Sequence, residues 1–217
     1  MKSTTTDSEK VAAILFNLGA IFIRPSRPFK YTNGILSPVY TDNRLLMSNP
    51  PEWRKVIDLM TRKVKGMGKI DVIAGAATAG IPHAAIIAQK INLPMVYVRP
   101  QPKEHGKGNQ IEGVIKKGQK VLVIEDLVST GGSSIRVIKA LRKAGAKVVG
   151  EVAIFTYGMK EAETNFKRAK VKLVSLSNFK AATKIAAENG LLKQNQISIV
   201  LDWAKDPKGW GKKMGFE

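Results

Sequence analysis

Short runs of apolar residues alternate along the chain with longer segments whose apolar positions recur at helical spacing. The runs have the length of buried strands. Turns rich in glycine or small residues join several of them to the next helical segment, which is typical of a parallel sheet with helices on its faces. The predicted strands are 70–74, 95–98, 121–124 and 148–155.

Local signals predict how the remaining segments begin and end. Thr6 to Glu9 forms a capping box that opens a helix ending near Gly19. Asn33-Gly34 between two apolar stretches predicts a hairpin. A helix begins at Ser48 to Pro51, another spans 82–90, and a third spans 178–189. The basic, glycine-rich residues 205–217 are expected to form a loose tail. With no internal repeat or linker, residues 1–217 are interpreted as one domain.

Composition narrows the possible chemistry. The 217 residues include no Cys and two His, which excludes disulfides and thiolate chemistry and makes a His-cluster metal site improbable. Thirty-six Lys and Arg against 17 Asp and Glu give a net charge of +19, which favours anionic partners. Charge alone does not separate nucleic acid, phosphorylated metabolites and acidic membranes. The N-terminus has no apolar signal-peptide core and no stretch is long enough to span a bilayer, so a soluble, cytoplasmic protein is expected.

Residues 121–134 carry the strongest chemical signal. A predicted strand leads to Glu125-Asp126 and then to Ser129-Thr130-Gly131-Gly132-Ser133 at the start of a helix. Glycines let successive backbone N–H groups converge, and a helix N-terminus favours an anion, so the segment predicts a phosphate seat. The adjacent acids repel phosphate but accept hydrogen bonds from sugar hydroxyls, so we expect a sugar phosphate. The alternative is a plain strand-to-helix turn with a Ser cap. Walker A and Rossmann motifs are missing from the sequence.

IEDLVSTGGSS (124–134) resembles the phosphoribosyl-pyrophosphate (PRPP) signature of type I phosphoribosyltransferases. Residues 29–44, 74–85 and 96–113 extend the resemblance to the bacterial orotate phosphoribosyltransferase family over nearly the whole chain. The resemblance implies an α/β fold with a central, mostly parallel sheet flanked by helices. It also implies a small hood over the sheet's carboxyl edge, formed mainly by 20–45 and part of the C-terminal region, with a core of about 46–175.

The same resemblance implies transfer of ribose 5-phosphate from PRPP to orotate, giving orotidine 5′-monophosphate and diphosphate in pyrimidine synthesis. It assigns Lys103, His105 and Asp126 to catalysis and Ser129 to orotate. Mg²⁺ is expected to bind mainly through PRPP, without dedicated protein ligands. The residues implied to bind PRPP are Thr78, Arg99, Lys103, His105, Glu125, Asp126, Leu127, Val128, Ser129, Thr130, Gly131, Gly132 and Ser133.

Residues 99–113 are interpreted as a basic lid, with prolines at its start and glycines at its tip. A solvated surface hairpin is the alternative. The resemblance implies that this loop closes over the active site of the neighbouring subunit in a homodimer. One departure is Pro100, which stands where another branch of the family has a catalytic Lys, so Lys103 and His105 carry more of the loop's charge.

Residues 76–80 are small, which lets backbone amides approach a diphosphate, although a tight turn is comparably consistent with them. The resemblance places a non-proline cis peptide at Ala77–Thr78. His83 is expected to be a structural or capping residue rather than a catalyst. Tyr40 is expected to pack against the pyrimidine ring or in the core, and core packing is the commoner fate. The sequence departs from some relatives at three places. Thr78-Ala79 stands where they have an aromatic-Lys pair, and Thr32 stands where they have a Lys in the hood. The Arg that they use on the base side has no counterpart near 156–157.

Two other functions remain open from the residues. A purine phosphoribosyltransferase would share the scaffold, but the sequence of the hood argues against it. A PRPP-sensing regulator that binds RNA or DNA would use the positive charge, but no helix-turn-helix or aromatic RNA-reading motif is visible. We therefore expect PRPP and orotate as partners and neither nucleic acid nor membrane.

Overall fold

The computed structural model describes residues 5–31, 34–101 and 109–216. Its strands are β1 (Ile21–Ile23), β2 (Phe29–Lys30), β3 (Leu36–Ser37), β4 (Val39–Thr41), β5 (Val72–Ala76), β6 (Met95–Val98), β7 (Ile111–Glu112), β8 (Lys120–Val128), β9 (Lys147–Thr156) and β10 (Leu173–Asn178). Its helices are α1 (Asp7–Asn17), α2 (Pro50–Lys65), α3 (Gly80–Ile91), α4 (Gly132–Lys143), α5 (Lys160–Ala169), α6 (Phe179–Glu188), α7 (Gln194–Trp203) and α8 (Trp210–Lys213), with a 3₁₀ helix at Asn43–Ser48.

A six-stranded sheet in the order β10-β9-β8-β5-β6-β7 forms the centre of the fold. Every neighbouring pair is parallel except β6 and β7, which are antiparallel. This arrangement confirms the predicted α/β class with a mostly parallel sheet. Because β8 and β5 lie in the middle, their carboxyl ends meet at the centre of one sheet edge, where open α/β folds place ligands.

The continuous apolar runs arise because the central strands are buried on both faces. Alternate residues of β8 enter different clusters: Leu122 and Ile124 join the core that includes α1, α2 and α3, whereas Val121 and Val123 pack with α4. The sheet is therefore covered by helices on both sides, which confirms the flanking helices that the sequence predicts.

Two small antiparallel sheets lie outside the central one. β1 pairs with β4, and β2 pairs with β3 in the register Phe29↔Ser37 and Lys30↔Leu36. The second pair confirms the predicted hairpin around Gly34, although Asn33 lies outside the described residues. The indole Nε1 of Trp203 donates a hydrogen bond to the carbonyl of Leu36 at 3.0 Å, so α7 is fixed to this hairpin.

The predicted helix ends are largely confirmed. Thr6 Oγ1 accepts from the N–H of Glu9 and the Glu9 carboxylate accepts from the N–H of Thr6, which completes the capping box. Asn178 caps α6. The sequence analysis missed β10 just before this cap. β10 is an edge strand in which two of six residues are fully buried, so its pattern is less apolar than those of the central strands.

The expectation of a loose tail over residues 205–217 is wrong for its described part, which ends at 216. Trp210 opens α8, is 2% exposed, and donates from Nε1 to the carbonyl of Ile199 at 2.9 Å. Its ring also contacts Phe216. The sequence did not predict this order, because the segment has no apolar periodicity and is anchored by a single buried indole among basic and glycine residues.

None of the helices in the described ranges combines the length and the apolar character needed to cross a bilayer.

Gly80 sets how closely α3 approaches β8. A Cβ at this position would lie 2.4 Å from the carbonyl oxygen of Ile124. We expect Gly80→Ala to lower the free energy of unfolding by about 2 kcal/mol or more, because backbone must move to accept the methyl group. Urea unfolding measures this effect.

Gly66→Ala is the matched control. Gly66 caps α2 with a negative φ, and its Cβ would lie 3.4 Å from the nearest atom. A change within about 1 kcal/mol is expected there. An equal decrease in the free energy of unfolding in the two variants would contradict the prediction, because the close contact at Gly80 would then contribute nothing beyond the substitution itself.

Candidate active site

The predicted phosphate seat lies at the end of β8. After Val128, residues Ser129 to Gly131 form a tight turn into α4, and Gly131 has φ +77°. The side-chain amide of Asn165 donates to the carbonyl of Thr130 at 2.9 Å and braces the turn. A Cβ at Gly131 would lie 3.1 Å from the Phe166 ring. Glycine is therefore required both by the backbone conformation and by the close approach of α5.

The first turn of α4 has no side-chain cap among the described residues. Its amides therefore stay available to a ligand, and the positive end of the helix dipole points the same way. This geometry argues against a plain turn with a Ser cap. The hydroxyl-bearing residues Ser129, Thr130 and Ser133 surround the same turn and are partly or fully exposed.

The two acids that precede the seat differ in their surroundings. Glu125 is 7% exposed, and its carboxylate accepts a hydrogen bond from the N–H of Asp126 at 2.9 Å. Burial first, and then the neighbouring Asp126 carboxyl, raise the pKa of Glu125 well above its usual range. Asp126 is half-buried, and Asn43 Nδ2 donates to its backbone carbonyl at 2.8 Å. Asp126 is thus the more accessible acid of the pair.

Thr78 lies at the same sheet edge, on the loop that follows β5. The Ala77–Thr78 peptide is cis, as expected, and the N–H of Ala77 donates to the carbonyl of Val98 at 3.0 Å. Thr78 is exposed. Because β5 pairs directly with β8, this small-residue loop and the phosphate seat are neighbours.

Arg99 begins the segment predicted to be a lid. It follows β6, its N–H donates to the carbonyl of Gln110 at 2.9 Å, and its guanidinium lies 3.7 Å from a carboxylate oxygen of Glu112. Arg99 and Gln110 therefore form a closed base for the loop. Lys103 and His105 lie outside the described residues. The strands β8, β5 and β6 are neighbours in the sheet, so their carboxyl ends lie side by side at one edge.

A cavity of about 440 Å³ adjoins Ser129 and Thr130. Aromatic side chains of the hairpin and α7 form part of its wall, and its charged lining residues are lysines together with Glu161 and Asp206. Its other lining residues include Tyr31, Ile35, Lys160, Trp203, Lys205 and Lys208. Ser129 therefore lines a partly open cavity next to the predicted phosphate seat.

The comparisons with known proteins agree with this geometry. The family model for the phosphoribosyl transferase domain matches residues 45–188. The orotate phosphoribosyltransferase of Bacillus subtilis (strain 168) is 47% identical over 206 residues, covering 94% of this chain and 95% of that protein. The enzyme of that name from Listeria monocytogenes serotype 4b is 46% identical over 205 residues, covering 94% of this chain and 98% of that protein.

The chain belongs to the orotate phosphoribosyltransferase family. A solved structure of the family from Aeropyrum pernix superposes with a TM-score of 0.72 at 30% identity, covering 84% of this chain and 99% of that one. The type I phosphoribosyltransferase fold expected from the sequence is thereby confirmed, and the chain is an enzyme of the glycosyltransferase class.

In this member of the orotate phosphoribosyltransferase family, part of the C-terminal region was expected in the hood, but Trp203 was not identified from the sequence as a wall of the cavity. Trp203 is fully buried and makes edge-to-face contacts with Tyr31, Tyr157 and Phe179. The spacing of three tryptophans was the available signal. This signal does not predict where a tryptophan packs, because an isolated Trp fits many environments. Tyr40 also differs from expectation, since it is 39% exposed and packs on Phe29 rather than in the core.

His83 is structural, as expected. It is fully buried, and its Nδ1 accepts a hydrogen bond from Trp53 Nε1 at 2.8 Å, so the neutral ring carries its proton on Nε2. Nε2 has no hydrogen-bond partner among the described residues. Burial lowers the pKa of His83 to about 4, and the negative charge of Asp126 opposes part of that shift.

The lowered pKa of His83 predicts a stability change in acid. Because the unfolded state binds this proton near pH 6.5 and the folded state only near pH 4, the contribution of His83 is complete above about pH 6.5 and is lost as the pH falls toward 4. Relative to His83→Gln, the wild type should lose on the order of 2–3 kcal/mol across this interval. Urea unfolding at a series of pH values measures the difference, and parallel curves would contradict the prediction.

Proposed function

We infer that this enzyme transfers the ribose 5-phosphate group of PRPP to orotate, forming orotidine 5′-monophosphate and diphosphate in pyrimidine synthesis. The observation that carries this inference is the uncapped first turn of α4, entered through Gly131 and flanked by Asp126, in a chain of the orotate phosphoribosyltransferase family. The bond from the anomeric carbon to diphosphate breaks, and a ring nitrogen of orotate forms the new bond to that carbon.

The 5-phosphate of PRPP binds the phosphate seat in this proposal. The amides at the start of α4 and the hydroxyls of Ser129, Thr130 and Ser133 donate to its oxygens. The backbone of 127–128 positions this turn, and Gly131 and Gly132 keep it free of side chains that would block the phosphate. The positive end of α4 contributes further to the binding of a dianion.

The ribose hydroxyls lie against Asp126, whose half-buried carboxylate is next to the seat. Asp126 also stabilises the positive charge that develops on the ribose as diphosphate leaves. Glu125 is buried, and burial raises its pKa well above the usual range. We therefore assign the direct ribose contact mainly to Asp126, with Glu125 supporting it from within the strand.

Cations face the leaving diphosphate in this assignment. Arg99 stands at the base of the lid, Lys103 and His105 belong to the loop itself, and the backbone around Thr78 approaches from the next strand. Among the described residues, no three His, Asp or Glu side chains form a metal-holding group, and diphosphate and ribose oxygens are themselves suitable ligands for Mg²⁺. Bound in this way, Mg²⁺ would neutralise charge on the leaving group, and the partly exposed Asp126 is the side chain that could approach it from the protein.

Orotate occupies the cavity beside Ser129 in this proposal. A volume of about 440 Å³ accommodates a pyrimidine, and Lys160 is the lysine assigned to its carboxylate. Glu161 and Asp206 line the same cavity, and Lys205 is paired with Asp202 at 2.7 Å. These lysines stand on α5 and after α7, close to where the sequence lacks the base-side Arg of other branches. The hood of residues 20–45 and the C-terminal region, above a core of about 46–175, forms the walls of this site.

We further propose that the enzyme acts as a homodimer in the cytoplasm, with the lid of one subunit completing the site of the other. The pairing of Arg99 with Gln110 and Glu112, which brings the two ends of segment 99–113 together, supports this assignment. Lys103 and His105 would then act on PRPP that is bound by the partner subunit's seat.

Turnover measurements test the reaction. With PRPP and Mg²⁺, orotate should be converted, whereas hypoxanthine and adenine should not, and chelation of Mg²⁺ should stop the reaction reversibly. Asp126→Asn should lose well over tenfold in kcat/KM, equivalent to more than about 1.4 kcal/mol of transition-state stabilisation. Asp58→Asn removes the same charge from an exposed ion pair with Lys90 and should retain activity. Conversion of a purine in place of orotate would overturn the assignment.

Mixing two inactive variants tests the action of the loop in trans. Lys103→Ala and Asp126→Asn should each be inactive alone. If they are refolded together, a mixed dimer contains one site with both native residues, so about a quarter of wild-type activity should return. A loop that acts within its own subunit would give no recovery, because every mixed site would then keep one substitution.

A further inference from the structure

A buried carboxyl group lies directly behind the phosphate seat. Glu151 stands on β9, is 0% exposed, and accepts a hydrogen bond at Oε1 from the hydroxyl of Ser134 at 2.7 Å. Ser134 is also 0% exposed and is the third residue of α4. The side chain of Ser134 is therefore fixed from inside the protein, while its amide belongs to the turn that faces the phosphate.

The second oxygen of this carboxyl group is unpaired. Glu151 Oε2 is buried and has no hydrogen-bond partner among the described residues. A buried anion with an unsatisfied oxygen is costly, whereas the protonated acid is much less so. Burial accordingly raises the pKa of Glu151 to about 7, and the hydrogen bond from Ser134 acts in the opposite direction.

The groups packed around Glu151 do not balance a negative charge. On β8, Glu125 is itself an acid, and Glu151 contributes to the rise in its pKa. On α4 the facing group is the neutral Ser134. On the β10 side, the apolar Leu173 is the register partner of Glu151. Lys172 contacts Glu151 by a backbone hydrogen bond, in which the N–H of Glu151 donates to the Lys172 carbonyl at 2.9 Å.

We propose that Glu151 is a positioning residue for the phosphate seat, acting through Ser134, and that loss of its proton weakens PRPP binding. This inference rests on the proposed function, because it concerns the seat assigned to the 5-phosphate. In the protonated form, Glu151 orients the first turn of α4 without adding charge. In the ionised form, it places a negative charge behind the helix end that must attract a phosphate dianion.

The coupling between proton and PRPP is reciprocal. If ionisation of Glu151 disfavours PRPP, then bound PRPP must raise the affinity of Glu151 for its proton by the same factor. The effect therefore appears in the affinity for PRPP and not in the affinity for orotate, which binds in the adjoining cavity. A purely structural role for Glu151 would not give this selectivity or this dependence on pH.

Glu151→Gln is the decisive variant, because glutamine reproduces the shape and neutrality of the protonated acid. Calorimetric titration with PRPP and Mg²⁺, and the KM for PRPP, are compared with wild type at about pH 6 and about pH 8.5, on either side of the titration. Equal affinities are expected at the lower pH. At the higher pH, the variant should bind PRPP about three- to tenfold more tightly than wild type, with the KM for orotate unchanged.

Ser134→Ala provides a second, independent variant. Removing the hydrogen bond that lowers the pKa of Glu151 should move the loss of PRPP affinity to a higher pH than in wild type. Glu188→Gln removes an exposed charge at the end of α6 and should follow the wild-type profile. Circular dichroism and thermal unfolding verify that each variant is folded.

The possible results separate the two proposals. The same pH dependence of PRPP affinity in Glu151→Gln and wild type would overturn the role of Glu151. If Glu151→Gln does not fold, an unshifted profile in Ser134→Ala would overturn it. PRPP binding with the expected shift but without turnover of orotate would sustain the role of Glu151 and overturn the proposed function. A wild-type protein that does not bind PRPP would overturn both.

Discussion

The first turn of α4 presents backbone N–H groups that no side chain of the described residues satisfies. A helix end in this condition is stable only where solvent or a ligand supplies acceptors. The positive φ of Gly131 aims the turn, the Phe166 ring limits what can replace that glycine, and Asn165 holds the preceding carbonyl. The other parts of the candidate site are arranged around this helix end, whose N–H groups can donate to an anion.

The sheet places the remaining groups around that helix end. Since β8, β5 and β6 are adjacent and parallel, the phosphate seat, the Thr78 loop and the base of the lid follow one another across a single edge. The close contact between Gly80 and the carbonyl of Ile124 keeps this spacing tight. The relative positions of the parts of the site are therefore set by buried strands, which the sequence shows as apolar runs, rather than by the loops that carry the polar groups.

The sequence predicted the central fold and the glycine turn between β8 and α4 well, because both rest on local patterns. Apolar runs, the Thr6 capping box and the Gly131-Gly132 turn each encode their own geometry. The sequence failed where structure depends on distant partners. β10 is an edge strand whose alternation is weak, and α8 is held by the burial of Trp210. The unequal surroundings of Glu125 and Asp126, and the position of Glu151 behind Ser134, require tertiary packing that no local pattern specifies.

The indole of Trp203 joins parts of the chain that are far apart in sequence. It hydrogen-bonds to Leu36 and packs on Tyr31, Tyr157 and Phe179. During synthesis on the ribosome, the hairpin of β2 and β3 emerges long before this tryptophan does, and the contacts that hold the hairpin in place cannot form until α7 has also emerged. The wall of the cavity beside Ser129 is therefore completed only after the segment of the phosphate seat has been synthesised, and a nascent chain that stops short of α7 would carry that segment without a finished pocket beside it.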